Sequence, residues 1–296
     1  MRDSFSDRVF NCVNLTLVTF FLLMVLYPLL FILSSSFSDP SLVATGQVWL
    51  LPRSFNVDGY REVFQSKDIL IGYRNSIFYT VAGTVVNLVV TLLAAYALSR
   101  RDLVGRGPIM FLMVLTLYFS GGMIPTYLIV KDLKLLDSWW VTIVTGAIST
   151  YNLIIARTFF LNGVPHELEE AAEIDGCSRA HTFFVIVLPL SKALIGVLAL
   201  YYCVGHWNSW FSAMIYLSSR EKIPLQLVLR ELLTQNQTMT MIENNTLGAD
   251  EISLRVKIAE LIKYCVIVVA SAPVLVAYPF IQKYFDKGVM LGSLKG

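Results

Sequence analysis

The stretch EEAAEIDGCSRAHTFFVIVLP, residues 169–189, is a polar insert between two long apolar runs. Pro165 suits the first turn of a helix, and the acidic residues that follow, Glu169 among them, then lie at the positive end of the helix dipole. Gly176 permits a sharp reversal, because glycine adopts a positive φ without steric cost. The stretch therefore predicts a helix that ends at a glycine corner.

A second short helix is predicted after this corner, because apolar residues recur there at helical spacing. Pro189 is expected to end this helix, with Leu188 held extended before it. The recurring residues are Ala180, Phe183, Phe184 and Val187. Two helices joined by a tight corner form a shape that can dock into a groove of a partner. The alternative is an amphipathic pair lying on lipid headgroups, but such helices usually carry Lys and Arg on their polar face, whereas this pair begins with acidic residues.

The bulk composition is that of a membrane protein. Of the 296 residues, 56% are apolar and 15% are charged, against about 25% charged in a typical soluble domain. The formal net charge is only +2, which gives no indication of nucleic-acid binding. A helix needs about 20 apolar residues to cross a bilayer core, and six runs qualify, which predicts an all-α integral membrane protein with six transmembrane helices. The runs are residues 12–33, 75–98, 108–130, 139–161, 190–217 and 259–281.

The six runs divide the chain into a transmembrane domain and two ends. We expect residues 1–11 to form the N-terminus, residues 12–281 the membrane domain and residues 282–296 a C-terminal tail. Lys and Arg are spread too evenly between the loops to decide the orientation firmly. The polar stretch belongs to a loop of residues 162–189 on one side, and the two long loops of the other side are residues 34–74 and 218–258.

Three short segments of the sequence predict a turn, a topology anchor and a kink. Asn56 and Asp58-Gly59 are turn formers ahead of a short helix. The basic loop of residues 100–107 is interpreted as an anchor of membrane topology. Residues 120–122, Ser-Gly-Gly, and Pro125 should kink the third span near its outer end. This bend either lines a pathway as a gate or allows close packing of helices through glycine.

Polar and aromatic residues in the fourth and fifth spans are candidates for a substrate path. Tyr151 and Asn152 lie in the fourth span. In the fifth span, Trp207 and Trp210 are predicted to share one helix face, with Asn208 beside them. Aromatic faces and an amide suit a sugar, whose C–H faces stack on rings while its hydroxyls form hydrogen bonds. An aromatic belt at the membrane interface explains the same pattern.

Several kinds of chemistry have no signature in the sequence. There is no GxxxxGK[ST] phosphate loop, and the three histidines have no metal-ligand spacing. Arg157 is close enough to a span end to snorkel, and no charged residue lies near the middle of a span, which disfavours proton- or sodium-driven transport. The four cysteines show no CxxC spacing, and the first, third and fourth are interpreted as small buried hydrophobes. They are Cys12, Cys177, Cys203 and Cys265.

The spacing within residues 169–189 resembles the EAA loop of bacterial ABC-importer permeases. In that family this loop is a coupling helix seated in a cleft of the ATP-hydrolysing subunit, and the resemblance implies the same role here. It also implies that both termini are cytoplasmic in a bacterial inner membrane, because the loop must face the ATPase. The matching positions are Glu170, Ala171, Ala172, Gly176, Ile186, Leu188 and Pro189.

Across nearly its whole length, the chain resembles the second permease of maltose-type carbohydrate importers. The resemblance implies a type I ABC importer permease fold and a C-terminal tail that contacts the ATPases through Gly288, Lys295 and Gly296. Three stretches resemble a subgroup that serves complex oligosaccharides and polysaccharides, including uronate-rich ones such as alginate or aldouronates. These stretches are residues 118–140, 151–160 and 205–211.

The resemblance further implies an assembly. Its expected members are a second, homologous permease, two ATPase subunits and an extracytoplasmic solute-binding protein, which the loop of residues 218–258 is expected to reach. The chain itself is expected to be non-catalytic and to bind no cofactor, with ATP and Mg²⁺ on the ATPase subunits. Two other classes are kept open, an ion-coupled secondary carrier of small polar solutes and an integral-membrane enzyme or assembly factor.

Overall fold

The computed structural model describes residues 5–242, 262–276 and 279, and within them the chain is helical and contains no β-strand. This confirms the predicted all-α class. The helices are α1 Phe5–Ser36, α2 Pro40–Ala44, α3 Asp58–Gln65, α4 Lys67–Ser99, α5 Arg106–Tyr118, α6 Met123–Asp132, α7 Val141–Val144, α8 Thr150–Gly163, α9 His166–Ile174, α10 Arg179–His181, a π-helix Thr182–Val187, α11 Leu188–Leu190, α12 Lys192–Trp207, α13 Phe211–Tyr216, a 3-10 turn Arg220–Lys222, α14 Leu225–Ile242 and α15 Ile262–Val276.

The described residues divide into two compact units. The first unit takes in those of residues 1–69 and 229–273, and the second takes in those of residues 70–228 and 274–296. The hairpin of α9 to α11 and its surroundings all belong to the second unit.

Two helices of the described residues, α1 and α4, are long and apolar enough to cross a membrane unbroken. Two helix pairs pass the same test together but are bent, α5 with α6 by 119° and the helical segment Arg179–Leu190 with α12 by 82°. The predicted fourth run is divided between α7 and α8, and the predicted sixth run is described only in part. Each predicted run therefore contains helix, and the first two are uninterrupted.

The kink predicted in the third span is a complete break between α5 and α6. Gly122, immediately before α6, has φ +85°, a positive value that favours glycine. A Cβ at Gly122 would meet no atom within 4 Å, and one at Gly121 would come no nearer than 4.0 Å to Pro125. Among the described residues, these glycines therefore shape the backbone and do not bring two helices close together.

The second helix of the hairpin continues further than the sequence predicts. Leu188 is helical, with φ −62° and ψ −45°, and Pro189 lies inside α11, so the expectation of an extended Leu188 before a terminating Pro189 is wrong. The preceding turn, Thr182–Val187, is a π-helix. Proline lacks the N–H for an i→i−4 bond, and its ring meets the carbonyl at i−4. The wider π turn, with i→i+5 bonds, leaves room for that ring, and the helix ends only at Ser191.

A serine-rich segment ends α1 in the first unit. Ser35 and Ser36 are fully buried, and the Ser36 hydroxyl lies 2.8 Å from that of Tyr60. The Cys265 thiol donates to the Ser36 carbonyl at 3.4 Å and is buried, whereas Cys12 is exposed. The interpretation as a buried hydrophobe is therefore confirmed for Cys265 and wrong for Cys12 within this chain.

Helix α4 packs against α12 through small and polar residues. The Thr91 hydroxyl lies 2.7 Å from the Tyr202 hydroxyl, and this pair is buried. About two turns before Thr91 on α4, the backbone of Gly83 faces the ring of His206 so closely that a Cβ at Gly83 would overlap the ring. These contacts fix the distance between α4 and α12.

Candidate functional site

The corner predicted in residues 169–189 is present, and its hydrogen bonds explain why the chain turns there. Gly176 has φ +77°, and its N–H donates to the Glu173 carbonyl at 3.1 Å, while the Cys177 N–H donates to the Ala172 carbonyl at 2.9 Å. These two bonds form a Schellman motif, in which a glycine with positive φ closes a helix end. Ser178 then caps the next helix by accepting from the His181 N–H at 3.3 Å.

The outer surface of α9 is acidic, and its most exposed large apolar side chain is Ile174. Of the predicted alanine pair, Ala172 is buried, with 4% of its surface exposed, and Ala171 is exposed together with Glu170. Ile174, at the end of α9, is 86% exposed. The helix thus presents Glu170, Ala171 and Ile174 outward and buries Ala172, while Ile186, Leu188 and Pro189 lie further along in the second helix.

The inward side of α9 is held by an arginine from a distant part of the sequence. Arg100 directly follows the last residue of α4, and its three guanidinium nitrogens each contact a carboxylate. Nη1 lies 3.1 Å from Glu169, Nη2 lies 2.9 Å from Glu173, and Nε lies 3.0 Å from Asp102. Asp102 also accepts an ion pair from Arg179 of α10 at 2.7 Å. We name these five residues the Arg100 clasp.

The charges of the Arg100 clasp stabilise one another. The Arg100 side chain is 14% exposed and Glu169 is 16% exposed, whereas Glu173 is 51% exposed. The hydrogen bond to Asp102 is the main cause that raises the pKa of Arg100. In turn, the hydrogen bond from Arg100 is the main cause that lowers the pKa of the Asp102 carboxyl. Arg100 and Asp102 therefore keep their charges at neutral pH.

An aromatic layer adjoins the Arg100 clasp. Tyr96, one turn before Arg100 on α4, packs on Phe160 of α8 with ring centroids 5.9 Å apart and on Phe183 of the π-helix at 4.8 Å. Arg157 of α8 donates through Nε to the Leu98 carbonyl in the last turn of α4 at 2.9 Å. The end of α4 is thereby joined to α8, to α9 and to the second helix of the hairpin.

The sequence reasoning missed the Arg100 clasp. It interpreted the basic loop of residues 100–107 as a topology anchor and Arg157 as a snorkelling side chain, and the structure assigns both arginines specific partners. Arg100 is separated from Glu169 by 69 positions, so no local pattern connects them. The only signal was that a basic loop and an acidic helix start were both expected on the same side of the membrane.

Comparison with known proteins agrees with this architecture. Residues 1–291 match the family described as binding-protein-dependent transport system inner membrane component. The chain belongs to this family. It is thus a permease of the ABC-importer type, which confirms the predicted class and sets aside the ion-coupled carrier.

Relatives of this permease match over its whole length. It is 43% identical to the "Polygalacturonan/rhamnogalacturonan transport system permease protein YtcP" of Bacillus subtilis (strain 168), over 98% of this chain and 99% of that protein. It is 40% identical to "Protein LplC" of the same organism, over 100% of this chain and 98% of that protein.

A solved structure has the same fold as this permease. A chain from a bacterial ABC transporter involved in the import of the acidic polysaccharide alginate matches with a TM-score of 0.85 and 33% identity, over 96% of this chain and 99% of that chain. The predicted type I importer permease fold is confirmed.

The predicted substrate-path residues of this permease differ in how far they are exposed. Tyr151 is 60% exposed, whereas Asn152 is 5% exposed and Trp207 is 6% exposed. Helix α12 ends at Trp207 and α13 begins after Trp210, so the prediction that the two tryptophans share one helix face is wrong. The break follows Asn208, which caps α12 and donates from its side chain to the Val204 carbonyl at 3.0 Å.

The remaining predicted residues lie outside the described part of the chain. These are the tail residues Gly288, Lys295 and Gly296. In the part of the chain that the structure describes, no group of three or more His, Cys, Asp or Glu side chains could hold a metal ion.

Proposed function

We propose that this permease is one of two homologous membrane subunits of an importer that takes up oligosaccharides from acidic polysaccharides. Support comes from relatives that match it from end to end. One is named for polygalacturonan and rhamnogalacturonan transport, and a solved neighbour imports the acidic polysaccharide alginate. Polygalacturonan and alginate are both built from uronic acids, so a common substrate class is a uronate oligosaccharide.

The energy for import is proposed to come from two partner ATPases that carry ATP and Mg²⁺, while this chain is non-catalytic. The sequence contains no phosphate loop of its own. An extracytoplasmic binding protein would deliver the saccharide, and the chain would lie in the bacterial cytoplasmic membrane with both termini in the cytoplasm. In this orientation the corner at Gly176 and the tail both face the ATPases.

The hairpin of α9 to α11 is proposed to dock on one ATPase. The observation that supports this role is that α9 is exposed at its C-terminal end and is held by ion pairs on its inward side. Ile174 is 86% exposed, whereas Arg100 fixes the opposite side of α9 through Glu169 and Glu173. An exposed apolar side chain beside acidic groups suits a partner cleft, and the ion pairs prevent the helix from turning when it is pushed.

The break between α5 and α6 is proposed to line the saccharide path. Arg106 begins α5 and donates to the Arg100 carbonyl at 3.3 Å, so α5 starts at the level of the Arg100 clasp. Its 13 residues rise about 20 Å, which places the break inside a hydrocarbon layer about 30 Å thick. Residues 118–124 are exposed. Non-helical backbone at that depth is tolerated only against protein or in a water-filled cavity.

The path can be tested with a thiol at the break. In the assembled complex, Ser120→Cys should react with a charged, membrane-impermeant thiol reagent above the wild-type background, and bound saccharide should slow the reaction. Absence of any reaction above background would place the break against protein and remove it from the path.

The function itself is tested by reconstituting the chain with its second permease, two ATPases and binding protein in liposomes. Uptake of oligogalacturonate or oligoalginate should require ATP, and a neutral oligoglucoside serves as the control substrate. Glu170→Lys should abolish uptake without changing membrane abundance, and Ala171→Cys should crosslink to an ATPase. Saccharide uptake driven by an ion gradient without ATP, or crosslinks that never include an ATPase, would contradict the proposal.

A further inference from the structure

The hairpin that is proposed to dock on the ATPase is covalently connected to membrane helices at both ends. Before α9, Val164 and Pro165 are extended and join it to α8, and after α9 the connection to α12 contains two compliant points. The second helix of the hairpin includes the π turn Thr182–Val187, whose i→i+5 hydrogen bonds close a wider turn than those of an α-helix. The chain then bends by 82° at Ser191 before α12 begins. A push on α9 that travelled along the covalent connections alone would be partly absorbed by changes at the extended pair, at the π turn and at the bend.

The Arg100 clasp is a further, noncovalent route, and it bypasses all of these points. Glu169 and Glu173 lie one turn apart on α9, and each accepts from a different terminal nitrogen of Arg100 at 3.1 and 2.9 Å. Asp102 connects the same arginine to Arg179 at the start of the second helix. Both arms of the hairpin are therefore bonded to the residues that immediately follow α4.

The parts of the Arg100 clasp differ in strength. Arg179 is 69% exposed and Asp102 is 41% exposed, and exposed pairs contribute little because water screens them. Arg100 and Glu169 are only 14% and 16% exposed. Removing one partner of such a shielded pair leaves the other charge poorly solvated, which costs more than the loss of an exposed pair. The Arg100–Glu169 contact is therefore the main connection.

We propose that Arg100 is a positioning residue for import, which transmits the displacement of the docked α9 directly to the end of α4. The planar fork of arginine suits this role, because it can contact three carboxylates at once with fixed geometry. Lysine carries the same charge at a single atom and cannot hold both Glu169 and Glu173 in this way. The proposal rests on the docking role of the hairpin given above, and it adds a mechanical role for the first basic loop.

The test measures saccharide taken up per ATP hydrolysed in the reconstituted complex. Arg100→Gln should leave ATP hydrolysis close to the wild-type rate and lower uptake per ATP roughly tenfold, a typical size for coupling between sites. Arg100→Lys should fall between Gln and the wild type. The matched control is Arg101→Gln, which removes the same charge from the neighbouring exposed position and should leave uptake per ATP unchanged.

This control separates the proposal from the topology-anchor interpretation. A topology anchor depends on the number of positive charges in the loop, so Arg100→Gln and Arg101→Gln would then have equal effects, and that result would overturn the proposal. Unchanged uptake per ATP in Arg100→Gln would overturn it as well.

A second variant covers the case in which Arg100→Gln does not assemble. Glu169→Gln combined with Glu173→Gln removes the clasp from the side of α9 and should lower uptake per ATP to the same extent. Full coupling in this double variant would overturn the proposal. Failure of the docking role is recognised separately, because Glu170→Lys would then retain ATP-driven uptake even though the Arg100 clasp is intact.

Discussion

Helix α4 carries a polar cluster at each end, and the two clusters are built differently. At its C-terminal end is the Arg100 clasp. At its N-terminal end, Asn75 donates to the carbonyls of Glu221 and Ile223 at 2.7 and 2.9 Å. Beside it, the Asp137 carboxylate accepts from the backbone N–H groups of Ser218 and Ser219 at 3.1 and 2.9 Å.

Further bonds complete this second cluster, which we name the Asp137 latch. The Ser219 hydroxyl and the Lys222 ammonium also donate to Asp137. The Asp137 N–H donates to the Tyr216 carbonyl at 2.8 Å, and the Tyr79 hydroxyl of α4 donates to the Lys222 carbonyl at 2.9 Å. The Asp137 latch consists of Asn75, Tyr79, Asp137, Ser218, Ser219 and Lys222.

The two clusters differ in the parts of the chain that they join to α4. In the Asp137 latch, the side chains of Asn75, Tyr79 and Asp137 bind backbone groups, and Asn75 is fully buried, so a shift of about 1 Å would break these bonds. The main contacts of the Arg100 clasp join the end of α4 to Glu169 and Glu173 of α9, the helix that is proposed to be displaced by the ATPase. We therefore assign shape to the Asp137 latch and transmission to the Arg100 clasp.

The largest effect is expected from Gly176→Pro, which removes the corner beside the Arg100 clasp. Proline holds φ at about −65° and cannot adopt the observed +77°, so α9 should lose its docking geometry. ATP-dependent uptake should disappear while membrane abundance is kept. The matched control is Gly46→Pro, which meets the same conflict at φ +70° in the first unit. Equal loss of uptake in both variants would show that backbone strain, and not the corner, limits transport.

The next largest effect is expected from Gly83→Ala, which changes α4 at a position between the two clusters. The new Cβ would overlap the ring of His206, and such overpacking costs about 1–3 kcal/mol. The melting temperature of the purified complex should fall, and His206→Ala should restore it in the double variant because it removes the overlapping ring. If the two changes are simply additive in their destabilisation, the contact between α4 and α12 is not as close as described.

The hairpin was predictable because its determinants are local. A glycine with positive φ and a serine cap lie within a few residues of the helices that they end and begin, and Gly176 and Ser178 both do so here. The same holds for Asn56, whose side chain accepts from the Asp58 N–H at 2.6 Å ahead of α3. The glycine break before α6 likewise follows from residues 120–122 themselves.

The clusters at the ends of α4 were not predictable, because their members are far apart in the sequence. Asp137 and Ser219 are 82 positions apart, and only the folded helices bring them together. The path of the chain through Pro189 was mispredicted for a different reason. The rule that proline ends a helix assumes α-helical geometry, and the π turn before Pro189 removes that assumption.

A smaller effect is expected when the Asp137 latch is altered. Asp137→Asn removes the negative charge and presents an amide to Lys222, so the complex should lose about 1 kcal/mol, the typical difference between hydrogen bonds to charged and to neutral groups. The melting temperature should fall while uptake per ATP stays at the wild-type value, the reverse of Arg100→Gln. Asp132→Asn, at an exposed position, is the control. A loss of coupling in Asp137→Asn would remove the distinction between the two clusters.

The same carboxyl predicts a dependence on pH. Hydrogen bonds from Ser219 are the main cause that lowers the pKa of Asp137 in the folded protein. A lowered pKa contributes stability above the unfolded value, about 3.9, and this contribution is lost as the pH falls through the folded pKa. The difference in melting temperature between the wild type and Asp137→Asn should thus be constant from about pH 5 to 8 and shrink below about pH 4. A constant difference at all pH values would mean that the carboxylate charge does not stabilise the latch.

The smallest effect is expected from Asp102→Asn. This variant tests how much of the coupling depends on Asp102 and how much on Glu169. The amide oxygen can still accept from Arg100, and the lost ion pair with Arg179 joins side chains that are 41% and 69% exposed. Exposed pairs are worth at most about 1 kcal/mol, so uptake per ATP should fall less than about fivefold, well short of the loss expected for Arg100→Gln. A deficit as large as that of Arg100→Gln would move the main connection from Glu169 to Asp102. Transmission to α4 would then run through the second helix of the hairpin and not through α9.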